Sequence, residues 1–428
     1  MLDKIHVKNF RDLKDIEIEP AKITLLVGPN GTGKTGIFHA LCVLKQSFES
    51  NSTPRTLSMV GNEVNLGSRE QVVSNNDVEK DIEITISNSF VAGDDAGNEK
   101  GTTEYTAISS VKHGKRKIKT KLGSIEGEID FNHTTGNEIK FSNDTNEEPY
   151  TIDNSEGLSV FGTFTEDSLK TRSHYFDTRI IETFLENLQY VPVQRGISLF
   201  KTPISSEKPE KIVNALGPTR MTKDMLEQIH YEQRLPDLIS KYTKRLFDKG
   251  VKPVLIQKGL GDIPGEQDSG TMGTSAFFDQ KGSALAANSG FGLNQLAFLL
   301  VPLLSSKEGA TVMIEEPEIS LHPTAQRELM EIFIDIVHSQ NKQIIITTHS
   351  EHFAIAIFNA IQKRKILGNE VKMYSFSHND ENETSISEID NPEGAFKKFL
   401  GEEENLLQTY IQLLGKTDSW LTDGNIEN

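Results

Sequence analysis

The run Gly28-Pro29-Asn30-Gly31-Thr32-Gly33-Lys34-Thr35 restricts this chain more than any other, because of what flanks it. Ile23-Thr24-Leu25-Leu26-Val27 reads as a buried strand before it, and Gly36 to Leu44 reads as a helix after it. A strand, a turn in GxxxxGK[ST] spacing and a helix make a P-loop. Its glycines let the backbone turn so that successive N–H groups point at phosphate oxygens, and the helix adds the positive end of its dipole. In that reading residues 28–36, Gly28 through Gly36, cradle a triphosphate. Lys34 reaches the β- and γ-phosphates and Thr35 offers its hydroxyl to Mg²⁺. The bland alternative, a glycine-rich turn that holds nothing, fits the complete spacing and flanks less well.

The 428 residues allow one large or two to three ordinary domains, enough for a packed core without staples. No apolar run approaches the roughly 20 residues of a membrane span, and Met1 to Phe10 mixes charge with apolar residues, unlike a signal peptide. A cytoplasmic chain with no membrane partner is expected. The single cysteine, Cys42, excludes an internal disulfide, and its place in the helix after the P-loop suits a small buried residue. The net charge of −17 argues against a uniformly basic nucleic-acid glove and leaves a local basic face, hence DNA binding, open.

Ile5 to Phe10 and Ile16 to Ile18 read as two short strands leading into the P-loop strand. From about Ser50 to Tyr175, Asn, Thr, Ser, Gly and Asp surround alternating segments such as Asp81 to Ile86 and Ile125 to Phe131, which predicts antiparallel strands with long turns. Lys112 to Lys121 is a basic cluster within them, either a solvated face or a nucleic-acid or partner contact. Arg179 to Gln189 reads as helix and Tyr190 to Gly196 as a strand closed by a turn. Met221 to Phe247 suits an amphipathic helical pair broken near Pro236. Gly259 to Ala276 reads as a flexible connection, and no repeat is present.

A second chemical centre is Thr311-Val312-Met313-Ile314-Glu315-Glu316-Pro317-Glu318, an apolar strand ending in carboxylates. Glu315 would hold Mg²⁺ and Glu316 would orient and polarise the water that attacks the γ-phosphate, a Walker B reading. Taken alone, an exposed acidic strand end is the plainer alternative. Gln343 to Thr347 delivers Thr348-His349-Ser350 to the same carboxyl edge of a parallel sheet, where His349 would sense the γ-phosphate. Asn288 to Gln295 opens a further helix with a Ser/Gly turn. It is either a core-helix cap or a second phosphate-binding end, and the latter would serve the nucleotide of another copy in a head-to-tail dimer.

The order Asn9-Phe10-Arg11, GPNGTGKT, YVPVQRG, SGFGLNQ, IEEPEISLHP, TTHS resembles the ABC-type ATPases of the OLD, RecF and SMC group, above all stand-alone OLD-like ATPases. The likeness covers roughly residues 1–50 and 180–360. It implies an α/β fold with a mixed central sheet, an antiparallel β-rich subdomain and a helical insertion, and ATP with Mg²⁺ as ligands. It also implies that Ser289, Gly290 and Gly292 contact the γ-phosphate across a dimer, that His322 follows Walker B, and that Arg11 lies near the nucleotide. Gln71 is a weak Q-loop candidate. Glu315 stands where SMC-type members carry aspartate, which favours the OLD-like branch. Ile366 to Asn428 lacks the glutamate and paired aspartates of the Toprim domain that OLD nucleases add.

The resulting expectation is an ATPase in five parts: residues 1–50 with the P-loop, 51–178 β-rich, 179–250 a strand plus helical insertion, 251–365 with signature, Walker B and switch histidine, and 366–428 an extension. Lys34, Glu316 and His349 carry the chemistry. A homodimer or higher homo-oligomer would close around Mg·ATP and switch a separate effector, a nuclease or toxin, with a role in antiviral defence implied by the same resemblance. The alternatives are an ATP-gated DNA clamp of repair type and, ranked last, a transporter ATPase subunit.

Overall fold

In the computed structural model, the residues described are 1–49, 57–94, 97–110, 114–122, 125–132, 136–143, 146–152, 184–193, 235–247, 251–256, 273–278, 284–285, 291–379 and 383–389. The chain opens with β1 (Lys4–Phe10), β2 (Leu13–Ile18) and β3 (Ile23–Val27), then α1 (Lys34–Glu49) and the one-turn α2 (Arg69–Val72). The strands β4 (Ile82–Asp94), β5 (Gly97–Ser109), β6 (Gly114–Leu122), β7 (Ile125–Asn132), β8 (Gly136–Asn143) and β9 (Asn146–Ile152) follow. Next come β10 (Leu188–Val191), α3 (Leu235–Phe247), β11 (Val251–Ile256), β12 (Gly273–Phe278), β13 (Ala284–Leu285) and α4 (Phe291–Ser305). The last elements are β14 (Thr311–Glu315), α5 (Pro323–Gln340), β15 (Gln343–Thr348), α6 (Glu351–Gln362), β16 (Val371–His378) and β17 (Thr384–Glu388).

The central sheet has the order β10-β14-β15-β3-β16-β17, parallel throughout except for the antiparallel edge pair β16–β17. Its inner strands are buried on both faces, so their sequences are continuous apolar runs. The period-2 alternation sorts them: Ile23, Leu25, Val312, Ile314, Ile344 and Ile346 pack with α3 to α6 on one side. Leu26, Met313 and Ile345 face the other side, where α1 supplies Ile37, Phe38 and Leu41. Beyond α1 lies the antiparallel sheet, order β2-β1-β4-β5-β6-β7-β8-β9, whose Ile5, Val7, Ile82, Ile84 and Ile86 complete that second core. One helix thus fills the space between two sheets. The α/β fold with a mixed sheet and an antiparallel sheet is as expected.

Several local expectations are revised. β1 and β2 belong to the antiparallel sheet, paired through β4, so that sheet runs across the boundary drawn at residue 50. The β-rich region has short connections: two residues separate β4 from β5, and two separate β6 from β7. Gly273 to Ala276, read as flexible, forms most of β12, paired with β11. Pro236 sits in the first turn of α3, where its missing N–H costs nothing; residues 221–234 lie outside the described residues. Within the basic cluster, the backbone register places acidic residues on the neighbouring strands. The register sets Lys119 opposite Glu104 and Glu128, Lys121 opposite Glu126, and Lys117 opposite Asp130. Among the described residues no helix is long and apolar enough to cross a membrane.

Candidate functional site

Parallel strands end on one edge, and here β3, β10, β14 and β15 bring Val27, Val191, Glu315 and Thr348 to it. The P-loop leaves β3 through Gly28 at φ 143°, Gly31 at 81° and Gly33 at 87°. A Cβ at Gly28 would lie 2.2 Å from the Phe376 carbonyl oxygen, and one at Gly33 would lie 2.9 Å from Leu13 Cδ2. Both conformation and space therefore require glycine there. Thr32 is buried; its hydroxyl donates to the Pro29 carbonyl at 2.9 Å, and Thr384 on β17 donates to the Thr32 carbonyl at 3.1 Å. Lys34 Nζ donates to the Gly28 and Pro29 carbonyls at 2.8 and 2.7 Å. Burial lowers its pKa, and the carboxylates of Glu316 and Glu318 oppose that shift.

A cavity of about 200 Å³ opens above the loop. Asn30, Gly31 and Gly33 to Gly36 of the loop line it, together with Arg11, Asp12, His39, Glu316 and His349. The sequence placed Lys34, Thr35, Glu316 and His349 at one site, and the fold brings them to this cavity. Arg11, expected near the nucleotide, lines it too.

The three glutamates at the end of β14 have separate environments. Glu315 is buried; its Oε2 accepts from the Val193 N–H at 3.1 Å, and the hydroxyls of Thr35 and Tyr190 also hydrogen-bond to it. Burial raises its pKa, and those three donors hold the shift back. A carboxylate beside a P-loop hydroxyl is a hard-oxygen pair of the kind that suits Mg²⁺, so the donor set fits the expected ion. Glu316 adopts φ 39°, a strained value for a residue with a Cβ, and its N–H donates to the Thr347 carbonyl at 2.9 Å. Its Oε1 lies 3.5 Å from His349 Nε2. Burial, and secondarily Lys34, lowers the His349 pKa, while Glu316 raises it.

Glu318 was not singled out in the sequence. Its Oε1 accepts from the Thr348 hydroxyl at 2.7 Å and from the His349 N–H at 2.8 Å. Ser350 in turn donates its N–H to Thr348 Oγ1 at 2.9 Å and caps α6 by accepting from the His352 N–H at 3.2 Å. The loop after β14 thereby holds the loop after β15. The available signal was a third carboxylate in Glu315-Glu316-Pro317-Glu318 matched by the donors of Thr348-His349-Ser350. His39 and Tyr190 were also missed as site residues, because helix periodicity and a strand-like run describe them equally well as core.

His322 is the N-cap of α5, its Nδ1 accepting from the Thr324 N–H at 3.4 Å, and it does not line the cavity. Gln71 also lies away from the cavity lining; its Oε1 accepts from the Ser68 N–H at 3.0 Å. Ser289 and Gly290 lie outside the described residues, as do Gln194 to Gly196, while Gly292 falls in the first turn of α4. Cys42 is buried, and burial pushes its thiol pKa well up, in keeping with a packing role.

A glycine loop between a parallel strand and a helix, with carboxylates on a neighbouring strand end, defines a P-loop nucleotide site. Residues 1–354 match the AAA ATPase domain family, and the chain belongs to it. It is 26% identical over 366 residues to the OLD nuclease of Thermus scotoductus (strain ATCC 700910 / SA-01), an alignment covering 83% of this chain and 60% of that protein. The chain thus spans 60% of the length of that curated relative. The motif-order resemblance agrees with both matches. Among solved structures, an SMC head bound to the C-winged helix domain of ScpA aligns at TM-score 0.44 and 14% identity, covering 91% of this chain and 98% of that one. An SMC head with an extended coiled coil bound to the C-terminal domain of ScpA, from Pyrococcus furiosus, aligns at 0.43 and 11%, covering 97% and 99%. Likenesses this remote assign no activity or partner to the chain.

Proposed function

We propose that this chain is an OLD-like, ABC-type ATPase that binds Mg·ATP in the cavity above the P-loop, hydrolyses it, and closes against a second copy to switch a separate effector. The observation that carries the reading is the convergence of Lys34, Glu316 and His349 on one cavity, with the Thr35–Glu315 pair beside it. Lys34 and the loop N–H groups take the phosphates, the lysine exchanging its bonds to the Gly28 and Pro29 carbonyls for phosphate oxygens. Thr35 and Glu315 would hold Mg²⁺, which when bound neutralises charge developing on the phosphate oxygens. Glu316 accepts the proton of the attacking water, and its strained backbone keeps the carboxylate at the cavity wall. His349 offers a hydrogen bond to the γ-phosphate, held in place by Glu318 through its backbone N–H.

Dimerisation through Ser289, Gly290 and Gly292 rests on the Ser/Gly opening of α4, a second helix N-terminus that a single nucleotide does not need. A nuclease effector is supported by the activity named for the OLD relative. The test is the mass of Glu316→Gln with and without Mg·ATP. Turnover should fall by about 10²- to 10⁴-fold, the range for losing a general base, with nucleotide binding retained. The mass should double with Mg·ATP, and the doubling should vanish when Ser289→Arg is added. A mass unaffected by ATP would remove ATP-driven association from the reading.

A further inference from the structure

Three side chains connect the cavity lining to the buried Glu315 carboxylate. Arg11 Nη1 lies 2.7 Å from His39 Nδ1. A guanidinium can only donate, so Nδ1 is the lone-pair nitrogen. Burial, aided by the Arg11 charge, lowers the His39 pKa to about 4, so near neutral pH the ring is uncharged and carries its proton on Nε2. That nitrogen is 3.5 Å from the Tyr190 hydroxyl oxygen. Tyr190 is also hydrogen-bonded to Glu315, and since a carboxylate only accepts, the tyrosine donates to it and its oxygen is left to accept from His39. Every donor therefore points the same way, from Arg11 through His39 and Tyr190 to Glu315. The tyrosine ring is set edge-on against Phe38 and His39, with centroids 6.2 Å apart in each pair.

We infer that His39 and Tyr190 are positioning residues that hold the Glu315 carboxylate toward Thr35 and tie it to Arg11, so that Arg11 contact with a nucleotide phosphate and divalent-cation binding at Thr35 and Glu315 strengthen each other. The inference rests on the Mg·ATP reading of this cavity. Arg11 carries five N–H donors and lines the cavity, so it can keep one bond to His39 while others meet a phosphate. Fixing the guanidinium fixes the imidazole, which fixes the tyrosine proton on one side of Glu315 and keeps the carboxylate turned toward Thr35. By linkage, cation binding must return the same factor to phosphate affinity.

The test is binding of a fluorescent ATP analogue to the full chain, in EDTA and across a Mg²⁺ titration. The wild-type chain should bind the analogue, with affinity rising with Mg²⁺. Tyr190→Phe keeps the ring and removes the hydroxyl; its Mg²⁺ midpoint should rise about tenfold, as for other groups that orient a metal-bound carboxylate, with EDTA affinity within about twofold of wild type. His39→Asn places an amide oxygen where Nδ1 accepts from Arg11 and removes the donor to Tyr190, so its midpoint should move the same way. His39→Gln restores an N–H near the Nε2 position without the acceptor for Arg11, so it should recover part of the loss. Thermal melts establish folding, and if Tyr190→Phe does not fold, His39→Asn carries the test. A wild-type chain that binds no analogue overturns the Mg·ATP reading itself. Wild-type binding that tightens with Mg²⁺ while Tyr190→Phe and His39→Asn keep wild-type midpoints overturns the inference alone. So does an equal loss of affinity with and without Mg²⁺, which is the mark of pocket packing only.

Discussion

β14 and β4 both carry alternating apolar side chains into the layer around α1, yet they end differently. β14 is one of five parallel strands, and it stops at Glu315 on the edge where β3, β10 and β15 also stop. Residues distant in sequence, Lys34, Glu316 and His349, therefore meet at one cavity. β4 belongs to an antiparallel sheet whose strands deliver their ends alternately to opposite edges, and among its described residues only the β1–β2 turn, with Arg11 and Asp12, reaches the cavity. There the charged residues fall at register positions opposite one another, as Lys119 does with Glu104 and Glu128. A parallel sheet concentrates chemistry and an antiparallel one distributes charge, which makes substitutions at strand ends in the first far more costly than those along strands in the second.

The sharpest way to test that contrast is Gly28→Ala. The new Cβ would stand 2.2 Å from the Phe376 carbonyl oxygen at φ 143°. Overpacking plus backbone strain should cost about 3 kcal/mol or more, seen as a fall in melting temperature with loss of nucleotide binding. Next comes Glu318→Ala, which removes the acceptor for the Thr348 hydroxyl and the His349 N–H. Single-turnover hydrolysis should slow by roughly tenfold to a hundredfold through misplacement of His349, with nucleotide affinity little changed, and Glu318→Gln should recover most of the rate.

A smaller effect follows pH. His39 has a pKa of about 4 in the folded chain against an ordinary value of 6.5. Between these values the unfolded chain binds the proton more readily, so His39 makes stability rise as pH increases from about 4 to 6.5 and contributes no further slope above that. Denaturant midpoints measured across this window should show a shallower rise in His39→Asn than in the wild type. The smallest effect belongs to the antiparallel sheet. Lys119→Glu sets like charges opposite Glu104 and Glu128 and should cost below about 1 kcal/mol, with ATP turnover unchanged. A loss of turnover would show that the outer strands of this sheet feed the site as well as the β1–β2 turn does.

The P-loop was legible because a positive φ, a close backbone approach and a helix start all demand particular residues, and Gly28, Gly33 and Lys34 record those demands locally. Glu315 and Glu316 were legible as a strand end, since an apolar strand stops at two carboxylates. Their division of labour follows from the fold, which buries one beneath Val193, Thr35 and Tyr190 and turns the other outward at φ 39°. Glu318 looks like one more carboxylate of an acidic run, and His39 like an ordinary helix residue, until β15 and β10 are placed beside them. The basic run at Lys112 to Lys121 could not be weighed from sequence, because its cross-strand partners, Glu126, Glu128 and Asp130, are set by register. The flexible reading of Gly259 to Ala276 rested on composition, and pairing with β11 overrides composition for Gly273 to Ala276.

The phosphate loop, the strand that bears the carboxylates and the α/β alternation are all written in the order of the residues, because backbone conformation and hydrophobic period act over a few positions. Which strands became neighbours was settled by packing of the whole chain. That choice makes Glu318 the anchor of His349 and makes Tyr190 the link between His39 and Glu315, since hydrogen bonds between residues 31 and 151 positions apart exist only after the sheet has set its strand order.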